Sequence, residues 1–308
     1  MSRGTSEPLT IGNVVSAGVR LYRDRLGAYF GIAFIATLWW FLPGWITSLV
    51  TTLLTAAEVT NGIIALVSII GLVFSIYGIA KSLANTALIS RLAFGYLNNQ
   101  PEAVSEARKN VLPRMWRFLF VAILIFFIFV FFNIGLILAI SILNAIVSAV
   151  LQSVGILIFV WGMVVFLGYI IANLWLFARL FIPEVSLAIE GNINSSRAIS
   201  RSWELTKGSV LRIQGIILVT TLVTIPLYFL AFSPIAFALS QVFGGILAGN
   251  VSQIVQLFVT STISIVGTNL LLGVVNIFVV PLWQSIKAVI YYDLRNRREG
   301  MDLQISDS

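Results

Sequence analysis

No charged side chain interrupts the sequence from Leu26 to Ala57, from Phe118 to Ala178, or from Ile213 to Ile286. One helical crossing of a bilayer takes ~20 apolar residues. The first stretch therefore holds one crossing, and each of the longer two holds a pair with a turn between them. Composition agrees: 59% of residues are hydrophobic and 10% charged, against about 25% charged in soluble domains. The pattern predicts crossings at 28–54, 62–90, 118–143, 152–180, 212–240 and 253–290.

Charge sets the direction of the weave. The predicted turns at Thr55–Asn61, Asn144–Leu151 and Gln241–Ser252 hold one charged residue, Glu58, whereas all 19 Lys and Arg fall elsewhere. Basic connections stay on the cytoplasmic side. Three hairpins with both termini cytoplasmic follow, and the charged run Tyr291–Leu303 becomes the inner stop of the sixth crossing. Trp39, Trp40 and Trp45 are expected toward the outer end of the first crossing. Trp116, Trp175, Trp203, Trp283, Tyr291 and Tyr292 are expected near inner ends, as in interfacial aromatic belts. Pro43, Pro226, Pro234 and Pro281 fall in or near crossings and predict kinks. Residues 1–27 lack a cleavable signal pattern, so the first crossing serves as the targeting signal.

The hairpins look related. Arg20–Gly27, R-L-Y-R-D-R-L-G, and Arg201–Gly208, R-S-W-E-L-T-K-G, share Arg, an aromatic and Gly at the same offsets. Ala84–Arg91, A-N-T-A-L-I-S-R, and Ala172–Arg179, A-N-L-W-L-F-A-R, share the Ala-Asn pair and the closing Arg. The Trp283 to Lys287 interval repeats that of Trp175 to Arg179. A single membrane domain with repeat units at about 9–95, 101–182 and 193–294 follows. Each unit opens with a short amphipathic helix on the inner face. In Thr10–Leu26, capped by Thr10, the stripe is Ile11, Val14, Val15, Gly18, Tyr22 and Leu26. In Glu102–Leu112 it is Val104, Ala107 and Val111, with Glu102, Glu106, Arg108 and Lys109 turned away. In Asn194–Lys207 it is Ile199, Trp203 and Thr206. These helices either lie in the headgroup plane or pack under the bundle.

The tail Y-Y-D-L-R-N-R-R-E-G-M-D-L, the segment S-R-S-W-E-L-T-K-G at Ser200–Gly208 and the start L-T-I-G-N-V-V-S-A-G at Leu9–Gly18 carry a resemblance. The chain resembles the prokaryotic family named for the membrane domain of glycerophosphoryl diester phosphodiesterase, over nearly its whole length. The resemblance implies a multi-pass protein of a prokaryotic cell membrane. In two-part members of that family a separate soluble barrel does the hydrolysis. A barrel needs roughly 200 residues or more, and the sequence offers neither that length outside its predicted crossings nor a single histidine. Only the membrane portion is implied, with no catalytic residue carried over.

The residues themselves point away from enzymes. With no His and no Cys, the usual acid–base group and the softer metal ligands are missing. No acidic residue falls at the centre of a predicted crossing, and Asp293, Glu299 and Asp302 are interleaved with Arg295, Arg297 and Arg298, which favours local ion pairs. There is no phosphate-binding Gly-rich loop with its Lys. No cofactor, metal or nucleic-acid partner is expected.

Two binding readings remain. Lys81 and Lys287 lie in the inner part of their crossings, and intramembrane ionisable groups are functional candidates by default. With Asn85, Tyr169, Asn173 and Gln284 at similar depth, they form a candidate pocket for an anion such as a lipid phosphate; alternatively, the lysines snorkel and the amides glue helices. The inner face, net positive, reads either as a topogenic signal alone or as a surface for anionic headgroups. Its candidate contacts are Arg20, Arg23, Arg91, Arg179, Arg201, Arg295, Arg297 and Arg298. The functions expected are therefore a non-catalytic scaffold binding lipid or a partner protein, a transporter or lipid-handling protein at Lys81/Lys287, or an accessory of a separate phosphodiesterase.

Overall fold

The computed structural model describes residues 10–150, 155–247 and 252–306. It is 91% helical with no strand among the described residues, and six helices are long and apolar enough to cross a membrane. The protein is thus an all-α polytopic membrane protein. The long helices are α2 (Leu26–Ala56), α3 (Asn61–Leu97), α5 (Met115–Val150), α6 (Gly155–Arg179), α9 (Val210–Leu247) and α10 (Ser252–Ser306). Of four short ones, α1 (Ile11–Asp24) precedes them, and α4 (Val104–Val111), α7 (Pro183–Ile189) and α8 (Ser195–Thr206) lie between them in sequence.

Local chemistry sets these boundaries. The Thr10 side chain accepts the Asn13 amide at the start of α1, and Asn194 accepts the Arg197 amide at the start of α8, each supplying a partner to a helix-end N–H. Pro183 occupies the first turn of α7, where its missing N–H costs nothing. The turn after α2 places Glu58 at φ 53, and the Val59 amide returns to the Leu54 carbonyl. That is a left-handed cap that closes the first hairpin at the end without basic residues. The helices run through Pro43, Pro226, Pro234 and Pro281 without interruption.

Two features differ from expectation. Helix α3 continues to Leu97 and α10 to Ser306, because the charged residues that stop a crossing do not stop a helix once water can solvate its backbone. The buried stripes of α1 and α8 are also rotated, whereas α4 buries Ala107 and Val111 as expected. In α1 they are Val14, Gly18 and Leu21, while Ile11 and Leu26 are exposed. Gly18 allows this contact, since a Cβ there would stand 2.4 Å from Ile286 of α10. In α8 they are Ala198, Ser202, Leu205 and Thr206. Trp203 turns out to stack edge-on with Trp175, ring centroids 5.4 Å apart.

One continuous hydrophobic core takes residues from all ten helices and sits at the charged end: Val14, Tyr29, Leu88, Val111, Phe118, Ala178, Leu187, Leu205, Ile213 and Ile286 among them. Toward the other end a small cluster of Ala231, Val275 and Val279 is the only further one closed among the described residues. The short helices therefore pack onto the ends of the crossings as a cap.

Candidate functional site

The cap is tied to the bundle by ion pairs. Arg201 on α8 bridges Glu190 (3.0 Å) and Glu299 (2.6 Å), and Arg295 joins Glu299 at 2.8 Å. The Tyr291 hydroxyl donates to Glu190. Asp293, 8% exposed, receives Arg212 at 2.9 Å and Arg297 at 3.3 Å. Arg91 at the end of α3 holds Glu102 at 2.7 Å and donates to the Ala188 carbonyl of α7. Arg114 reaches the Leu187 and Gly191 carbonyls. Burial pushes the Glu102 carboxyl up, but the hydrogen bond and charge of Arg91, with the Asn110 amide, outweigh it and hold the group below the ordinary carboxylate range. Burial likewise disfavours the Arg201 cation, and its two carboxylates more than reverse this.

The eight arginines read as lipid contacts therefore divide. Arg91, Arg201, Arg295 and Arg297 are committed to carboxylates inside the cap. Arg23 makes only an exposed contact of 3.9 Å with Asp24. Arg20, Arg179 and Arg298 meet no carboxylate among the described residues. Arg179 lies over Trp175 (5.6 Å) and Trp203 (5.0 Å). Its Nη1 donates to the Trp203 carbonyl and its Nε is buried without a partner. Arg298 donates to the Lys207 carbonyl and is near enough to repel Arg179 electrostatically. Arg179, Arg298 and Lys207 thus gather on one flank with two half-exposed tryptophans.

The six residues of the predicted pocket do not share one place; their contacts fall into three. Lys81 lies over the rings of Trp39 (4.3 Å) and Tyr77 (5.0 Å), and Asn85 donates to the Lys81 carbonyl. Trp39 is accordingly placed against this charge partway along α2, rather than at the outer end. Tyr169 donates to Asn133 (2.6 Å), and Asn133 donates to Asn173 (3.1 Å), joining α5 to α6. Gln284 and Lys287 meet Glu184: Lys287 Nζ is 2.6 Å and Gln284 Nε2 2.9 Å from the same oxygen, Oε1. The Ser90 hydroxyl donates to Gln284. Asn85 and Asn173, equivalent in the proposed repeat, both donate to the carbonyl four residues back.

Glu184 and Asn133 carry these clusters, yet neither stood out in the sequence. Glu184 follows Pro183 in a seven-residue helix, too short for periodicity to reveal. Asn133 is a lone amide in a Phe-rich run, and only its pairing across the hairpin gives it a role. Beside the Glu184–Lys287 pair opens a cleft of about 250 Å³, lined by Leu83, Phe118, Ala122, Ile125, Phe177 and Phe181 among others. No family model, curated protein or solved structure matches this chain.

Proposed function

We propose that this protein is a non-catalytic membrane platform whose basic end faces the cytoplasm and holds anionic lipid headgroups. The observation that supports it best is the Arg179–Arg298–Lys207 flank. Arg91, Arg201, Arg212, Arg295 and Arg297 are spent on carboxylates, but these three cations meet none among the described residues, and their neighbours are the interfacial tryptophans Trp175 and Trp203. A guanidinium whose face is covered by indoles still offers its edge to a phosphate. Fixed pairs elsewhere in the cap keep that flank in place. The family resemblance adds a prokaryotic membrane as the setting, and a co-purifying soluble phosphodiesterase would redirect the reading to an accessory role.

Native mass spectrometry of protein extracted in mild detergent tests the site. Replacing Arg179, Arg298 and Lys207 together with Gln removes ~1 kcal/mol per cation, about 3 kcal/mol in all. Retained phosphatidylglycerol should then fall roughly a hundredfold in affinity. Unchanged retention would show that the flank is only topogenic. Sidedness is read in intact cells with a membrane-impermeant thiol reagent. A cysteine at Glu58 should label and one at Arg108 should not; the reverse pattern defeats the cytoplasmic assignment.

A further inference from the structure

Among the described residues, the Glu184–Lys287 pair is the one place where a carboxylate and an ammonium meet on the wall of an apolar cleft. Lys287 is eight residues before Arg295 on α10, roughly 12 Å along the axis at 1.5 Å per residue, so the pair lies deeper than the ion pairs of the tail. Its side chains are 16% and 27% exposed for Lys287 and Glu184. Lys287 Nζ also lies 4.8 Å from the centre of the Phe181 ring. The walls come from α3, α5 and α6, and the most apolar stretches of α5 and α6 bury nothing inside the protein. A chain running along those walls passes into hydrocarbon without crossing a polar layer.

The hydrogen bonding of the pair is incomplete. Glu184 Oε1 takes both Lys287 and Gln284, while Oε2 accepts no bond among the described residues. An ammonium carries three N–H groups, and Lys287 uses one. One acceptor and two donors are therefore left over within a few ångströms of each other, beside the cleft.

We propose that the cleft binds a phospholipid head carrying both a primary ammonium and a phosphate, the ammonium on Glu184 Oε2 and the phosphate on Lys287 Nζ. Charge decides the class. The pair is neutral as a unit, so a purely anionic head would bring an unbalanced negative charge against Glu184 in a medium that screens it poorly. A zwitterionic head adds one charge of each sign, each next to its opposite, and leaves the existing pair intact. A quaternary ammonium has no N–H to give Glu184, which separates this ligand from choline-headed lipids. The site is distinct from the Arg179 flank, whose three cations suit net-negative heads.

The test uses the full chain purified in mild detergent. It is mixed with phosphatidylethanolamine, phosphatidylcholine or phosphatidylglycerol of identical acyl chains, and bound lipid is counted by native mass spectrometry. The wild type should retain phosphatidylethanolamine over phosphatidylcholine. Glu184→Gln keeps the shape but removes the charge, and should lower phosphatidylethanolamine affinity about tenfold, the worth of one charge-assisted hydrogen bond. Ala122→Phe, which fills the cleft and leaves both charges in place, should lower it at least as much. If Glu184→Gln does not fold, Ala122→Phe decides alone. Equal retention of ethanolamine and choline lipids, or retention unaltered by Ala122→Phe, overturns the proposal. The variant lacking Arg179, Arg298 and Lys207 should keep its ethanolamine lipid, so the two sites fail independently.

Discussion

The α2–α3 and α9–α10 hairpins close on one another, while the α5–α6 hairpin leans away, and their glycines show why. A Cβ on Gly71 would lie 2.1 Å from Thr47, and one on Gly78 would lie 2.4 Å from the Trp39 carbonyl and 2.7 Å from Pro43. Gly273 and Gly267 of α10 likewise sit beside Thr37 and Pro234. In α5 and α6, by contrast, Gly135, Gly162 and Gly168 have nothing within 4 Å of where a Cβ would be. Phe126, Phe131 and Phe159 point outward, more than 60% exposed. In lipid no hydrophobic force draws helices together, and close approach of small residues does that work. At these positions the same residue type is a contact in the packed hairpins and a gap in α5 and α6, although Gly31 and Gly44 of α2 are open as well. What joins α5 to α6 is the Asn133–Tyr169–Asn173 chain near their middle and the Trp161 indole donating to Asn144 beyond it, together with the cap at their charged ends.

The sharpest way to break this contrast is to place the same side chain at both kinds of glycine. Gly78→Leu forces a branched side chain against a backbone carbonyl and a proline ring, and should cost at least the ~1–3 kcal/mol typical of overpacking. Gly162→Leu adds a side chain to open space and removes a flexible residue from a helix, so it should be neutral or slightly stabilising. Thermal unfolding in detergent, followed by loss of the monodisperse peak, measures both. Equal losses at the two positions would mean that α5 and α6 pack as tightly as the bundle.

How much of this was readable in advance follows the same division. Length and absence of charge placed six crossings, because those properties depend on the bilayer and not on neighbours. The cap at Thr10 was legible because it is a local hydrogen bond. The candidate pocket was not. Spacing gives the depth of a residue in the membrane but not its azimuth. Lys81 and Lys287 were therefore matched for depth, yet one turns to Trp39 and the other to Glu184, 103 positions away in sequence. The rotated stripe of α8 failed for a related reason: Trp203 is apolar enough to be read as core, but Arg179 and Trp175 draw it outward. The arginines of the tail did read correctly as local ion pairs, since Arg295 and Glu299, like Asp293 and Arg297, are four residues apart on one helix face.

A smaller effect sharpens the comparison at the junction between its two halves. The Arg91–Glu102 pair ties the end of α3, in the packed half, to the segment that leads through α4 into α5. The Glu102 carboxyl is held below its reference value of 4.5. A group with a depressed folded-state pKa contributes stability that is present above its unfolded pKa and is lost as pH falls through its folded one. The tie is therefore complete at neutral pH and dissolves only in acid, below about 4.5. Amide exchange in α4, corrected for the intrinsic effect of pH, should accelerate over that window, while α2, whose neighbour Lys81 is held by aromatic rings, should not change. Glu102→Gln should raise α4 exchange at neutral pH and abolish its acid response. An acid response that survives this substitution would assign the junction to other carboxylates of the cap, with Glu190 the first to examine because it joins Arg201 to the Tyr291 hydroxyl.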